Sequence, residues 1–292
     1  LVIANHQSPI TEEIYMIVTN EIAQVRVARW TDPTLSWGLV PTMGYLHEGH
    51  LALVRQARAE NDRVAASIYV NPTQFAPTED LQSYPRNLEG DLALLRAEKV
   101  DLVFTPDDTI MYPPGFQTKI MLEAVSRPLE GASRPTHFQG VATVVAKLFN
   151  IFQPTRAYFG QKDAQQTVVI RRMVADLNFN LEIIIHPTVR EPDGLAMSSR
   201  NVRLTAEQRE AAVVLNRALR EAADAIQAGE RNGEVIREQM RATITAEPLA
   251  KIDYVSAADP DTLEELEEIQ GGVLLSLAVF FGQTRLIDNV LA

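Results

Sequence analysis

Short apolar runs alternate with stretches of helical periodicity through residues 35–185, and this alternation most narrows the folds open to the chain. Residues 35–40 are apolar and stop at Pro41, after which Leu51, Leu53, Val54 and Ala57 recur at helix-compatible spacing within 49–60. Residues 64–70 read as a second strand, ended by the turn signal Asn71-Pro72. Leu88, Leu92, Leu95 and Ala97 lie on or near one face of a helix expected over 81–99, and 101–104 follows as a short strand. Past Tyr112-Pro113-Pro114-Gly115 the pattern resumes with helix 141–152, strand 157–159, helix 165–176 and strand 181–185. A crossover helix between successive strands returns the chain to the same end of the sheet. Neighbouring strands therefore run parallel, and the expected class is α/β with a doubly wound parallel sheet.

Beyond Leu204 the texture changes. Thr205 and Gln208 form a capping-box pattern opening an Ala/Glu/Arg-rich helix to about Ala228, where Gly229 stops it. A second helix is expected over 232–246, and strands over 252–255, 273–281 and 285–290, the last two joined near Gly282-Gln283. A length of 292 residues suits a nucleotide-sized domain, placed at 1–189, followed by a small α+β domain at 190–292.

With 27 Lys plus Arg against 38 Asp plus Glu, the formal charge is -11, which speaks against coating nucleic acid or anionic membrane. The chain has no cysteine, which excludes disulfides, zinc-thiolate sites and a thiol nucleophile. Residues 1–9 lack the pattern of a secretory leader, and the apolar run 273–281, broken by Ser276, is far too short for a membrane-spanning helix. A cytoplasmic, soluble protein without nucleic-acid or membrane partners is expected.

In an open parallel sheet, ligands gather beyond the carboxyl ends of the strands, where the polar segments 41–50, 71–75 and 160–166 fall. In the first, His47 and His50 project from one side of a helix start, where backbone N–H groups and the helix dipole attract an anion such as phosphate. A plain turn with half-buried histidines fits the same spacing. Zinc fits poorly, because the segment is not His-Glu-x-x-His and the whole chain has five histidines: His6, His47, His50, His137 and His186. A second motif, 194–201, sets Ser198 and Ser199 beside Arg200 on a glycine-containing loop, either a mobile phosphate clamp or a solvated inter-domain loop. In a third, 159–166, Lys162 could offset charge on phosphate oxygens and Asp163 could accept from a ribose hydroxyl, although a capped helix with an exposed lysine is also possible. Gln165 and Gln166 point differently around their helix, so at most one faces the same ligand. Gln74 could bind a small acid or simply belong to a turn. Neither a Walker A loop nor a Gly-x-Gly-x-x-Gly fingerprint is present, so ATP would be held in another way.

Taken in order, these segments resemble the pantothenate synthetase, or pantoate–beta-alanine ligase, family. The matching residues are Pro-Thr-Met-Gly-x-Leu-His-x-Gly-His at 41–50, Val-Asn-Pro-x-Gln-Phe at 70–75, Tyr-Pro-Arg at 84–86 and Leu-Glu-Gly-x-x-Arg-Pro-x-His-Phe-x-Gly-Val at 129–141. They continue with Lys-Leu-Phe-Asn at 147–150, Phe-Gly-x-Lys-Asp-x-Gln-Gln at 159–166, Gly-Leu-Ala-Met-Ser-Ser-Arg-Asn at 194–201, Leu-Thr-Ala-Glu-Gln-Arg at 204–209 and Leu-Ile-Asp-Asn at 286–289.

The resemblance implies a Rossmann-like domain akin to the class I aminoacyl-tRNA synthetase nucleotidyltransferases. It also implies a two-step reaction in which pantoate and ATP give pantoyl adenylate, from which beta-alanine then displaces AMP. By the same resemblance Met43, His47, His50, Gly160, Lys162, Asp163, Met197, Ser198, Ser199 and Arg200 bind ATP. His47, His50, Lys162, Ser198, Ser199 and Arg200 carry the catalysis. Gln74 and Gln166 hold pantoate, Asn71, Arg134 and His137 lie on the beta-alanine and pyrophosphate side, and Asp91 is a carboxylate on the Mg2+ side. The family pattern also implies a homodimer. Three positions depart from it: Tyr45 replaces a small or polar residue, Gln161 the usual glutamate, and Ala164 the usual aromatic. The rival readings are another adenylate-forming ligase or nucleotidyltransferase acting on a different acid, and a ligand sensor that binds ATP without turnover.

Overall fold

A computed structural model of the chain describes residues 16–76 and 81–292. The leader reading of 1–9, and His6, lie outside the described residues. The chain builds β1 (Ile17–Thr19), α1 (Ile22–Trp30), β2 (Trp37–Thr42), α2 (Glu48–Glu60), β3 (Arg63–Ile68), α3 (Leu88–Ala97), β4 (Leu102–Phe104), α4 (Asp108–Met111), α5 (Glu130–Ser133), α6 (His137–Phe152), β5 (Arg156–Gly160), α7 (Ala164–Asp176) and β6 (Glu182–His186). There follow α8 (Ala206–Ala211), α9 (Val214–Gln227), α10 (Gly233–Thr245), β7 (Ala250–Ala258), β8 (Leu274–Phe281) and β9 (Thr284–Leu291).

Strands β1 to β6 form one parallel sheet in the order β1-β4-β3-β2-β5-β6. The chain steps outward from β2 to β3 and β4, then returns to place β5 on the other side of β2. The order thus reverses between β2 and β5, and a crevice opens beyond their carboxyl ends, the place where such sheets take ligands. Strands β2 to β4 are almost wholly buried because helices cover both faces, which is why they read as continuous apolar runs. Helix α6 is apolar nearly all round and fills the core against Phe104, Phe159 and Phe179. Gly140 of α6 meets the turn after β3, where a Cβ would stand 2.3 Å from the Thr73 carbonyl oxygen. Only glycine lets helix and turn approach that closely, and the turn carries Gln74.

The second unit is an antiparallel sheet, β7-β8-β9, covered by α9 and α10. Val214, Leu215, Ala218, Leu219, Ala222 and Ile226 repeat on one face of α9 and are buried in this second core. The apolar run ending at Phe281 is its central strand. The architecture is therefore a Rossmann-like α/β sheet with a smaller C-terminal α+β unit, as expected. Among the described residues, no helix is long and apolar enough to cross a membrane.

Three local expectations change. Helix α3 begins at Leu88 instead of 81, because Pro85 disfavours helix before it and the Asn87 side chain caps the Gly90 N–H at 3.1 Å. The helix from 205 divides into α8 and α9, where Leu215 N bonds the Ala212 carbonyl three residues back and tightens the turn. The short pair β1 and α1 was not anticipated.

Candidate active site

A cavity of about 790 Å³ lies beyond the carboxyl ends of β2 and β5 and is closed on its far side by β9 and the 187–201 segment. His47, His50, Gln74, Lys162, Asp163 and Gln166 border it, together with Met43, Gly160 and the loop Met197, Ser198, Ser199 and Arg200. Arg134 and His137 complete the predicted residues around its wall.

The two histidines cap α2 reciprocally. His47 Nδ1 accepts the Gly49 N–H at 3.1 Å, and His50 Nδ1 accepts the His47 N–H at 3.3 Å. A backbone N–H can only donate, so both Nδ1 atoms carry lone pairs and each neutral ring bears its proton on Nε2. The ring centroids are 4.1 Å apart. Burial, with the neighbouring Lys162 charge, lowers the His47 pKa to about 4. Burial and then His47 itself lower that of His50 to about 3. At neutral pH the pair is a set of uncharged N–H donors at the positive end of a helix.

Asp91 holds this segment from behind. Its carboxylate accepts the N–H groups of Tyr45 at 2.8 Å and Leu46 at 2.7 Å, and it is 3% exposed. Gly44, at φ +81°, passes so close that a Cβ would stand 2.9 Å from Asp91 Oδ2. Tyr45 also has a left-handed backbone, φ 52°, which a bulky residue tolerates only when its surroundings hold it. Asp91 is not among the residues bordering the cavity, and its carboxylate shapes the 41–50 turn with one N–H on each oxygen, which leaves a lone pair on both. Asn71 also lies off the cavity wall. It is 1% exposed, its Oδ1 accepts from Thr73 and Tyr112, and its Nδ2 donates to the Gly140 carbonyl, so it fixes the turn that presents Gln74.

The Gln74 carbonyl in turn accepts from His137 Nδ1 at 2.9 Å and Arg134 Nη2 at 3.3 Å, tying both residues to that turn. The two neighbouring glutamines part company. Gln165 is buried, its Nε2 on the carbonyls of Val125 and Pro128 and its Oε1 on the Glu130 N–H, while Gln166 borders the cavity. Lys162 Nζ stands 3.6 Å from Asp163 Oδ1. Burial alone would raise the Asp163 pKa, but the positive charges of Lys162 and Arg200 outweigh it and hold the carboxylate below its ordinary range. A Cβ placed on Gly160 would meet nothing within 4 Å, so the backbone there faces open space.

The 194–201 loop is anchored at its base. Met197 N bonds the Val189 carbonyl at 3.0 Å, Asn201 Nδ2 bonds the Ala196 carbonyl, and Arg209 pairs with Asp193. Gly194, at φ +96°, makes the turn. Sequence reasoning did not assign functions to Gln161, Asn289, Glu130 or Arg285, which join the two units. Gln161 Nε2 donates to Asn289 Oδ1 at 3.0 Å, and Arg285 donates to both Glu130 oxygens at 2.8 Å. Ala164, the third departure, is buried in the main core. The Leu-Ile-Asp-Asn motif was the signal for Asn289 and the Leu-Glu-Gly motif that for Glu130; nothing local singled out Arg285.

The family profile for pantoate-beta-alanine ligase matches residues 16–291. The chain is 64% identical over 274 residues to the pantothenate synthetase of Roseiflexus sp. strain RS-1, covering 94% of this chain and 98% of that one. It is 63% identical over 275 residues to that of Chloroflexus aggregans, covering 94% and 99%. Among solved structures, pantothenate synthetase from Thermus thermophilus superposes with a TM-score of 0.90 at 48% identity, covering 94% of this chain and 99% of that one. A pantoate-beta-alanine ligase from Francisella tularensis, solved in complex with beta-gamma ATP and beta-alanine, gives 0.79 at 37% identity, covering 95% and 98%.

Proposed function

Because this chain belongs to the pantoate-beta-alanine ligase family, we propose that the cavity beyond β2 and β5 is where its two chemical steps take place. The reaction is the ATP-dependent condensation of pantoate with beta-alanine to pantothenate through pantoyl adenylate. In the first step a pantoate carboxylate oxygen bonds to the α-phosphorus as the bond to the bridging oxygen breaks, and pyrophosphate leaves. In the second, the beta-alanine nitrogen bonds to the acyl carbon, AMP leaves, and the amine loses a proton.

The observation that carries the residue assignments is that the imidazoles of His47 and His50, the Lys162 ammonium and the Ser198-Ser199-Arg200 loop, far apart in sequence, border one cavity. Neutral Nε2–H donors, an ammonium and hydroxyls suit phosphate oxygens whose charge rises as the bond changes hands, so positioning and electrostatics account for the rate. Open space at Gly160 leaves room for adenosine, and Asp163, kept ionised by its cationic neighbours, accepts from ribose. Met43 and Met197 flank the acyl-phosphate junction and the nucleotide. Gln74 and Gln166 hold pantoate, and Arg134 and His137 lie toward the second substrate and pyrophosphate. The division between units is placed at 189/190. Closure of the small unit keeps water from the adenylate.

Among the described residues, no group of three or more His, Asp or Glu is arranged to hold a metal. Both Asp91 oxygens are already bonded to backbone N–H groups. Each oxygen keeps a lone pair, and magnesium ordinarily uses one or two carboxylates beside substrate phosphates, so Asp91 would be the carboxylate on the side of a Mg2+ carried by the triphosphate, where the ion would offset charge on the leaving pyrophosphate. A cytoplasmic homodimer completes the proposal on the family's pattern.

The test is AMP release with ATP, pantoate and beta-alanine, each omitted in turn, alongside pyrophosphate exchange across other hydroxy acids. Release that persists without beta-alanine at the full rate, or exchange favouring an acid unlike pantoate, would overturn the assignment.

A further inference from the structure

The Leu-Ile-Asp-Asn segment of β9 touches both phosphate-side loops. Asn289 is 4% exposed, and its Nδ2 donates to two consecutive carbonyls, Gln161 at 3.0 Å and Lys162 at 2.8 Å. Carbonyls only accept, so the amide orientation follows, and Asn289 Oδ1 needs a donor of its own. Gln161 Nε2 supplies it at 3.0 Å; a glutamate at 161 could not donate when ionised. Fixing two successive carbonyls fixes the two peptide planes that flank the Lys162 Cα, and with them the direction in which the Lys162 side chain leaves the backbone.

The preceding residue reaches the other loop. Asp288 is 1% exposed and bonds both Arg190 terminal nitrogens at 2.6 and 2.9 Å, while Arg190 Nη1 also donates to the Gly194 carbonyl at 3.0 Å. Arg190 is bridged to Ala196, just before Met197 and the two serines. Strand β9 is held in register along β8, with Asp288 opposite Leu277 and Asn289 opposite Ser276, so both side chains project from a rigid base.

We propose that Asp288 and Asn289 are positioning residues that set the Lys162 ammonium and the Ser198-Ser199-Arg200 loop relative to one another from a single strand of the small unit. This rests on the phosphate-binding role proposed above for Lys162 and Ser199. Docking of the small unit then aligns the lysine on the large one, and the same strand carries the register of the clamp.

The test is a pair of double-mutant cycles on single-turnover adenylate formation, with thermal unfolding as a folding control. Asn289→Asp, which replaces two donors by a carboxylate facing two carbonyls, should slow the step roughly 10-fold or more, with KM for pantoate within about 2-fold. In a Lys162→Ala background the same change should cost under about 2-fold, because the group it positions is gone. Asp288→Asn should behave likewise against Ser199→Ala. If Asn289→Asp does not fold, Gln161→Ala, at a half-buried turn, enters the same cycle with the same expected collapse. Full multiplicative losses in both cycles overturn the positioning proposal while leaving the role of Lys162 intact. A near-normal Lys162→Ala enzyme overturns both.

Discussion

His47 and His50 cap the first turn of α2 through each other, the His50 ring accepting the His47 N–H at 3.3 Å while the His47 ring accepts that of Gly49. The arrangement requires neutral rings, and burial lowers their pKa values from 6.5 to about 4 and about 3. In the unfolded chain they take protons at ordinary pH values. Stability present above about pH 6.5 is therefore lost as the pH falls toward the folded-state values, because the unfolded state binds protons that the folded state refuses. The loss should be on the order of 1 kcal/mol per ring by about pH 5. Urea unfolding at neutral and mildly acidic pH checks it: His47→Asn with His50→Gln should flatten the slope, and equal slopes would contradict the assignment.

The same two rings and Lys162 carry the proposed phosphate contacts. Lys162→Ala and His50→Ala should each slow adenylate formation by roughly 10²-fold or more, the scale of losing one preorganised electrostatic contact. Pyrophosphate exchange is the direct measurement. Near-normal rates for both variants would remove them from the site.

Asp91 separates a metal ligand from a loop support. Asp91→Asn keeps the shape but can accept through only one oxygen, leaving a backbone N–H of Tyr45 or Leu46 poorly paired at a cost of about 1–3 kcal/mol. Activity should fall through displacement of the 41–50 turn, and the magnesium concentration giving half-maximal rate should rise. An unchanged concentration would confine Asp91 to supporting the loop.

Adjacent glutamines should fail in different ways. Gln165→Ala strands the carbonyls of Val125 and Pro128 and the Glu130 N–H, costing on the order of 2–3 kcal/mol with little change in KM for pantoate. Gln166→Ala should raise that KM with little change in unfolding temperature. A shared phenotype would mean that the division between core and cavity is wrong.

How much of this was legible in sequence depended on distance along the chain. The alternation of apolar runs specified the parallel sheet because each strand is buried on both faces and signals by itself. Strand β1, three residues with two of them exposed, gives no such signal. Pro85 and Asn87 could have shortened the expected helix at 81–99, since both act on local backbone. Residues on local motifs that border the cavity, such as His47, His50 and Ser199, were readable from spacing and resemblance. The backbone contacts of Asp91 and Asn71 were not readable, because their side chains reach partners 46 and 69 residues away, respectively. Asn289 and Arg285 act across the two units, and only the folded chain brings them to Lys162 and Glu130.

Arg285 tests the docking of those units. It donates to both Glu130 oxygens at 2.8 Å and to Asp253 at 2.6 Å, and Ser133 also bonds Asp253. Glu130 is 6% exposed, so Arg285→Met leaves a buried carboxylate with only the Arg134 guanidinium, 4.0 Å away, and should cost about 3 kcal/mol. Adding Glu130→Gln removes the stranded charge, so the double variant should recover part of that stability; a further loss of equal size would argue against a desolvated pair. Both variants weaken the seam over the cavity. If closure of the small unit shields pantoyl adenylate from water, each should release more AMP than it makes pantothenate, whereas the unaltered enzyme keeps the two near equality. A ratio that stays at one in both variants would place the water barrier elsewhere than in the docking of the small unit.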